Sequence, residues 1–284
     1  MTNIDQFESI FKAADKTVFS LESVKLDSAL VVTGLEGEAH AAFEVAARAL
    51  LGSRAESLDW HSLNADHFDQ VEQFLELVEQ ASPDVVCTYR NLRTPAQNYP
   101  YSLGVFVEVL TQATQIPVLL LPRPNAVAGR AQVRTKCDSV MAITDHLTGD
   151  HRLVSYAAFF TEPEGTLFLS HVEDEATFER YMDIISKVST IDTETAREAI
   201  REQLLKEPHD YIVSSRDVLG QSAQHLRVEE IITLGHHLTD YKRLVDECGI
   251  DLLVMNTKDE DQLAMHGLTY PLAVELRETP LLLL

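Results

Sequence analysis

Cysteine is scarce in this chain. Its three copies, Cys87, Cys137 and Cys248, are odd in number and far apart. That excludes a disulfide framework and every C-x-x-C or zinc-ribbon spacing. Each thiol lies in or beside an apolar run and reads as buried and structural. Basic residues are few as well: Lys and Arg total 23 against 45 Asp and Glu, a formal charge of −22. A surface so acidic repels nucleic acid and anionic lipid, so neither is expected as a partner. No stretch approaches the ~20 apolar residues of a membrane span, and the opening "MTNIDQFESIFKAADK" has no basic leader. The expectation is a cytoplasmic protein without direct membrane insertion. Glycine motifs are missing too: no P-loop, no Rossmann triplet and no Gly-x-Ser-x-Gly elbow occurs. No serine or cysteine nucleophile with a plausible base stands out.

What the chain does have is a hydrophobic content of 45% over 284 residues, enough for one large core or two ordinary ones. It also has a repeat. "GVFVEVLTQATQIPVLLL" (Gly104 to Leu121) and "GLTYPLAVELRETPLLLL" (Gly267 to Leu284) share a Gly, a helix-like stretch, and a Pro opening an apolar strand. Upstream of each, an aspartate opens another buried strand, Asp84-Val85-Val86 and Asp251-Leu252-Leu253, and an amphipathic helix precedes it. Short continuous apolar strands predict a parallel sheet covered on both faces. The pattern predicts strands near 28–33, 55–61, 84–88 and 117–121 in the first half, with helices near 36–51, 66–81 and 101–114. In the second half it predicts strands near 139–144, 165–171, 228–234, 250–255 and 280–284. Helices there are expected near 149–160, 177–188, 192–206, 209–222, 238–248 and 268–277. The fold expected is α/β, two tandem doubly wound domains. The division is an N-terminal extension over 1–23 that packs as a helix on domain 1, domain 1 over 24–122, a Pro- and Gly-containing linker over 123–136, and domain 2 over 137–284.

Three stretches carry a family resemblance: "VMAITDHLTGDHRLVSYAAFF", "VEEIITLGHHLTDYKRLVDECGIDLLVMN" and the closing Gly-to-Pro segment, joined in the first half by "SALVVTGLEGEAHAAFEVAARAL" and Pro83 to Leu121. In this order and spacing the chain resembles the universal stress protein family in its tandem form. Domain 1 looks shortened, lacking a strand and helix between its first helix and "AESLDWH". The resemblance implies five-stranded parallel sheets, adenine nucleotide binding in one branch, and pairing through the last strand. The terminal strands Pro117–Leu121 and Pro280–Leu284 could therefore pair within the chain as a pseudo-dimer, or between two chains as a homodimer. The alternative is a terminal strand merely buried under helices.

The family's binding branch carries Gly-x-x-Gly, nine residues, then Gly-Ser or Gly-Thr, so that backbone N–H groups turn toward phosphate. The resemblance aligns Asp145 with an aspartate at the adenine end, Asn256 and Asp259 with the first two glycines, Gly267 with the last, and Leu268 with the hydroxyl. Around Asp259, "KDED" sets three carboxylates where phosphates would lie, and each close pair of like charges costs about 1 kcal/mol even in water. AMP or ATP remains a possible ligand of domain 2. The plain readings are that "DEDQ" opens a short helix as a near capping box and that Asp145 is a turn former or cap. In domain 1 the corresponding positions are Gly34, Tyr89, Leu92 and Val105, and nucleotide binding is not expected. His146, His171, His236, His237 and His266 fall at one predicted sheet edge with Asp145, Glu173 and Asp259. They suit a divalent metal, or are simply loop histidines.

The function expected is a non-catalytic stress-response sensor or adaptor with a degenerate nucleotide site. The alternatives are an AMP- or ATP-binding switch or weak ATPase, and a regulatory subunit of a membrane transporter. A protein partner could dock on the long helical insertion near 192–222.

Overall fold

A computed structural model describes residues 17–94, 101–123, 136–144, 147–221, 225–257 and 267–284. Nine strands form one sheet. They are β1 (Ser28–Val32), β2 (Asp59–Leu63), β3 (Val85–Tyr89), β4 (Val118–Leu121), β5 (Ser139–Ile143), β6 (Thr166–Asp174), β7 (Arg227–Gly235), β8 (Leu252–Met255) and β9 (Leu281–Leu283). The order across the sheet is β2-β1-β3-β4-β9-β8-β5-β6-β7. All neighbours are parallel except β4 and β9, which run antiparallel with Leu119 opposite Leu282. The strands at the centre, VVCTY, VLLL, LLVM and LLL, are buried at every residue. Such runs without alternation suit strands covered by helices on both faces. The edge strands β2 and β7 instead mix exposed and half-buried residues, which blunts them against pairing with another chain.

Eight α-helices lie among the described residues: α1 (Gly37–Leu51), α2 (Val71–Ala81), α3 (Val105–Ala113), α4 (His151–Phe160), α5 (Glu175–Ser186), α6 (Thr193–Gly220), α7 (His237–Glu247) and α8 (Thr269–Glu275). Asp150 caps α4 by accepting from Leu153 N, Asp174 caps α5, and Asp192 caps α6. None of the described helices is long and apolar enough to cross a membrane.

The strands before residue 122 and those after 138 obey one plan. The order β2-β1-β3-β4 mirrors β6-β5-β8-β9, and β7 has no counterpart. This corrects the place of the missing piece. Residues 52–56 form a 3-10 turn and β2 follows at once, pairing with β1 as β6 pairs with β5. The absent strand and helix therefore fall after β2, between Leu63 and Val71. A second correction concerns α6, which runs unbroken through Pro208 where two helices were expected. A proline forfeits one backbone hydrogen bond, but here its ring is buried with Tyr211 and Ile212 on the same helix. Residues 17–23 differ as well. The described part of the N-terminal extension is neither helical nor packed on the first half: Phe19 N and Glu22 N donate to Ser214 Oγ and Ser155 Oγ, both in the second half.

The two halves are joined by more than the β4–β9 seam. Arg90, directly after β3, is 6% exposed and donates to the carbonyl oxygens of Ala273, Leu276 and Arg277 at the end of α8. A helix C-terminus carries partial negative charge and unpaired carbonyls, so it can hold a buried cation without a carboxylate. Desolvation pulls the Arg90 guanidinium down to about 9, and it stays charged at neutral pH. Arg54 adds an ion pair to Glu162 at 2.9 Å, and Tyr270 of α8 donates to Glu108 of α3.

Candidate functional site

In a doubly wound sheet the chain leaves neighbouring strands in opposite directions at one point, and ligands bind in the crevice above it. Here there are two such points: between β1 and β3, and between β5 and β8. Both are bridged by the chain's own side chains.

At the first, Tyr89 ends β3 and its phenol accepts from Gly34 N, just after β1, at 3.0 Å. The ring is 2% exposed and packs edge-on to Phe43. Burial pushes the phenol's pKa up, while the Gly34 contact and the nearby Arg123 and Arg93 pull it back in part. Arg93 lies so close that a Cβ on Gly34 would sit 3.0 Å from it, which explains glycine there. The loop after β3 has also closed on the start of α3. Asn91 N donates to Leu103 O at 2.6 Å, and a Cβ on Gly104 would lie 2.8 Å from Asn91 Cα. The Asn91 N–H is thus engaged by the protein's own backbone. Beside this crevice, Ser62 Oγ, His40 and Thr33 Oγ1 form a chain with both contacts at 2.6 Å, tying α1 to β1 and β2.

At the second, Asn256 follows β8 and its side-chain amide donates to Asp150 Oδ2 at 2.5 Å. Asp150 heads α4, which follows β5, so this contact spans the crevice. Asn256 O in turn accepts from Thr269 Oγ1 at 2.6 Å, fixing the start of α8. Thr257 is tied down by Leu284 O, which accepts from both its N–H and its hydroxyl. Desolvation raises the pKa of Asp150, against the lowering effect of the Leu153 N–H and the Asn256 amide. Asp150 also occupies the α4 N-terminus, a place otherwise open to an anionic ligand.

Of the other sequence candidates, Gly267 is described: it is exposed, with φ of +58°, just ahead of α8. It borders a depression of about 420 Å³ whose lining includes Glu173, Asp174, His237, Leu238 and Pro271. Its lining joins the end of β6 to the starts of α7 and α8, and its two carboxylates disfavour a phosphate chain. Asp145 and Asp259 lie outside the described residues, as do His146 and His266. His171 is buried, with Nε2 3.2 Å from Glu173 Oε2. His236 is exposed ahead of α7, and the His237 ring lies tilted beside that of Tyr241, with centroids 6.3 Å apart. Among the described residues no group of three His, Cys, Asp or Glu is placed to hold a metal ion. Cys87 and Cys137 are buried, with thiols pushed up to about 12, chiefly by desolvation.

Asp150 and Arg90 escaped the sequence reading. The first had a usable signal, an Asp after Gly149 at the mouth of a helix. The second had only a charge ending an apolar strand.

No protein-family model and no curated protein matches the chain. Solved structures do. A provisionally assigned universal stress protein of Pseudomonas aeruginosa UCBPP-PA14 is 14% identical, with a TM-score of 0.54 over 91% of this chain and 93% of that one. A functionally unknown protein of Pseudomonas aeruginosa PAO1 is 16% identical, with a TM-score of 0.53 over 91% and 92%. The class defined is therefore one of fold: the α/β, mostly parallel arrangement of universal stress protein structures, matched along nearly the whole chain.

Proposed function

We propose that this chain is a non-catalytic sensor or adaptor of the universal stress protein type, built as two tandem domains that face each other across the β4–β9 seam. One observation carries the reading. In each half the residue standing in place of the first phosphate-loop glycine, Tyr89 or Asn256, reaches across the crevice and hydrogen-bonds the loop or helix start opposite. A ligand entering there must first break a contact inside the protein, and in the first half it must also displace a buried ring. Neither half retains the flexible glycine cradle that holds phosphates.

A second reading, an adenine-nucleotide switch in the second half, draws support from the depression beside Gly267, which is of ligand size. Extraction of the purified protein and an ATP turnover assay separate the two. The adaptor reading expects no stoichiometric adenine nucleotide in the extract and no turnover above background. Retained AMP or ATP, or turnover abolished by Asp145→Ala, would establish the switch.

A further inference from the structure

The segment that leads into β1 of the first half begins on the second half, in a groove between α4 and α6. It lies along α4 in order: Thr17 beside Gly149, Ser20 beside His151 and Glu22 beside Ser155. Three of its backbone N–H groups reach the groove walls. Phe19 N donates to Ser214 Oγ at 2.9 Å, Ser20 N to His151 Nδ1 at 3.4 Å and Glu22 N to Ser155 Oγ at 2.9 Å. Phe19 is the one buried side chain of residues 17–26, at 3% exposure. Its ring stands edge-on to those of His151 and Tyr211, with centroids 5.9 and 6.1 Å away.

This is the geometry of a docked peptide. One aromatic anchor fills a pocket, main-chain donors meet polar side chains of the wall, and the neighbouring Val18 and Leu21 stay exposed. Residues 17–26 form neither helix nor strand. A stretch held by so few buried contacts belongs to the parts of a fold that open without unfolding the rest. Its charge also fits the groove poorly. Desolvation raises the pKa of Asp150 at the head of α4, and the Glu22 carboxylate raises it further, while Arg152 acts the other way. Burial, Asp150 and Glu22 together push up the Tyr211 phenol. Like charge is thus set against like charge at the Glu22 position, where a base would be attracted. The chain's net charge of −22 draws basic partners in the same sense.

We propose that the groove between α4 and α6 is a peptide-docking site that the chain plugs with its own Phe19 segment. The partner it fits is a segment of another protein carrying a phenylalanine and, three positions on, a lysine or arginine. The plug is tethered, so it competes at an effective concentration of about millimolar. A partner must bind better than the plug or arrive while it is open. This names the kind of partner the adaptor reading calls for, but the groove would bind such a segment whether or not the crevices admit nucleotide.

Hydrogen exchange on the full parent chain tests the plug without any substitution. The amides of Phe19, Ser20 and Glu22 are expected to exchange at least tenfold faster than those of β5. They are expected to exchange faster still with an excess of a peptide of residues 17–26 carrying Glu22→Lys. Fluorescence anisotropy then measures the labelled peptide on the full chain with Phe19→Ala, which empties the pocket and leaves its walls intact. Binding is expected to be at least tenfold tighter than to the parent chain, and at least tenfold weaker once the peptide loses its phenylalanine. The peptide that keeps Glu22 is expected to bind more weakly than its Glu22→Lys form. Three amides that exchange no faster than those of β5 make the segment core and overturn the proposal. So does a peptide that binds the variant no better than the parent, that binds equally well without its phenylalanine, or that gains nothing from Glu22→Lys. A parent chain found at twice its 31.8 kDa mass, and at 31.8 kDa with Phe19→Ala, would give the groove to a second copy and overturn it too.

Discussion

The two crevices occupy equivalent places in the sheet and are closed by different chemistry. The first is closed by an aromatic ring whose body is core and whose hydroxyl is the latch. The second is closed by an amide and a carboxylate, with no comparable apolar body behind them. Closure by core packing cannot be undone without leaving a cavity, whereas a polar pair responds to protonation. The first half is therefore read as scaffold, and the second as the place where any ligand-dependent behaviour would lie.

Substitution should separate the two closures. Tyr89→Ala is expected to destabilise the protein by roughly 3–5 kcal/mol, the range for deleting a buried aromatic side chain, measured by urea unfolding. Tyr89→Phe removes only the latch and leaves Gly34 N without that acceptor, at roughly 1–3 kcal/mol. If the alanine variant lost no more than the phenylalanine one, the closure would not be core packing. At the seam, Arg90→Met should cost about 2–3 kcal/mol, because charged hydrogen bonds to the end of α8 are lost. Its positional counterpart, Thr257→Ala, should cost about 1 kcal/mol, since its N–H still reaches Leu284 O.

The polar closure predicts a pH signature. Asp150 has a raised pKa in the fold, so it binds its proton more tightly folded than unfolded. Its contribution to stability is present in full below the unfolded carboxylate value of 3.8, and it is lost as pH rises through the folded value. Asp150→Asn keeps a capping oxygen for Leu153 N and cannot titrate; its NH2 takes the Oδ2 position, so Asn256 must turn its amide oxygen toward it. The difference in melting temperature between Asp150→Asn and the parent should therefore grow in the variant's favour as pH rises from 4 to 7. A flat difference would place Asp150 in water. The smallest effect is expected from Lys242→Ala, which breaks an exposed pair with Glu275 and should shift stability by less than about 1 kcal/mol.

Much of this was legible in the residues. The spacing from Gly104 to Pro117 and from Gly267 to Pro280 marked the repeat, and uninterrupted apolar runs marked the parallel core. That Tyr89 and Asn256 stand where the resemblance expects glycine could be read. What those residues do instead could not, because each partner is set by how strands and helix starts come together in space. Arg90 finds its acceptors more than 180 positions away, and no local pattern encodes that. Pro208 read as a break because propensity is local, whereas the helix around it is held by a buried face. The place of the first half's absent strand is not written in the residues after α1; the pairing of β2 with β1 shows where it belongs.

The central claim is that both crevices are closed to adenine nucleotides, and thermal unfolding with and without 1 mM ATP or AMP tests it most directly. The account predicts the same melting temperature in all three conditions, within about 1 °C. A ligand at ~100 times its dissociation constant would add about 2.7 kcal/mol, a rise of several degrees for a chain of this size. A rise of that order with either nucleotide would contradict the account and show that the bridge from Asn256 to Asp150 opens to admit a ligand.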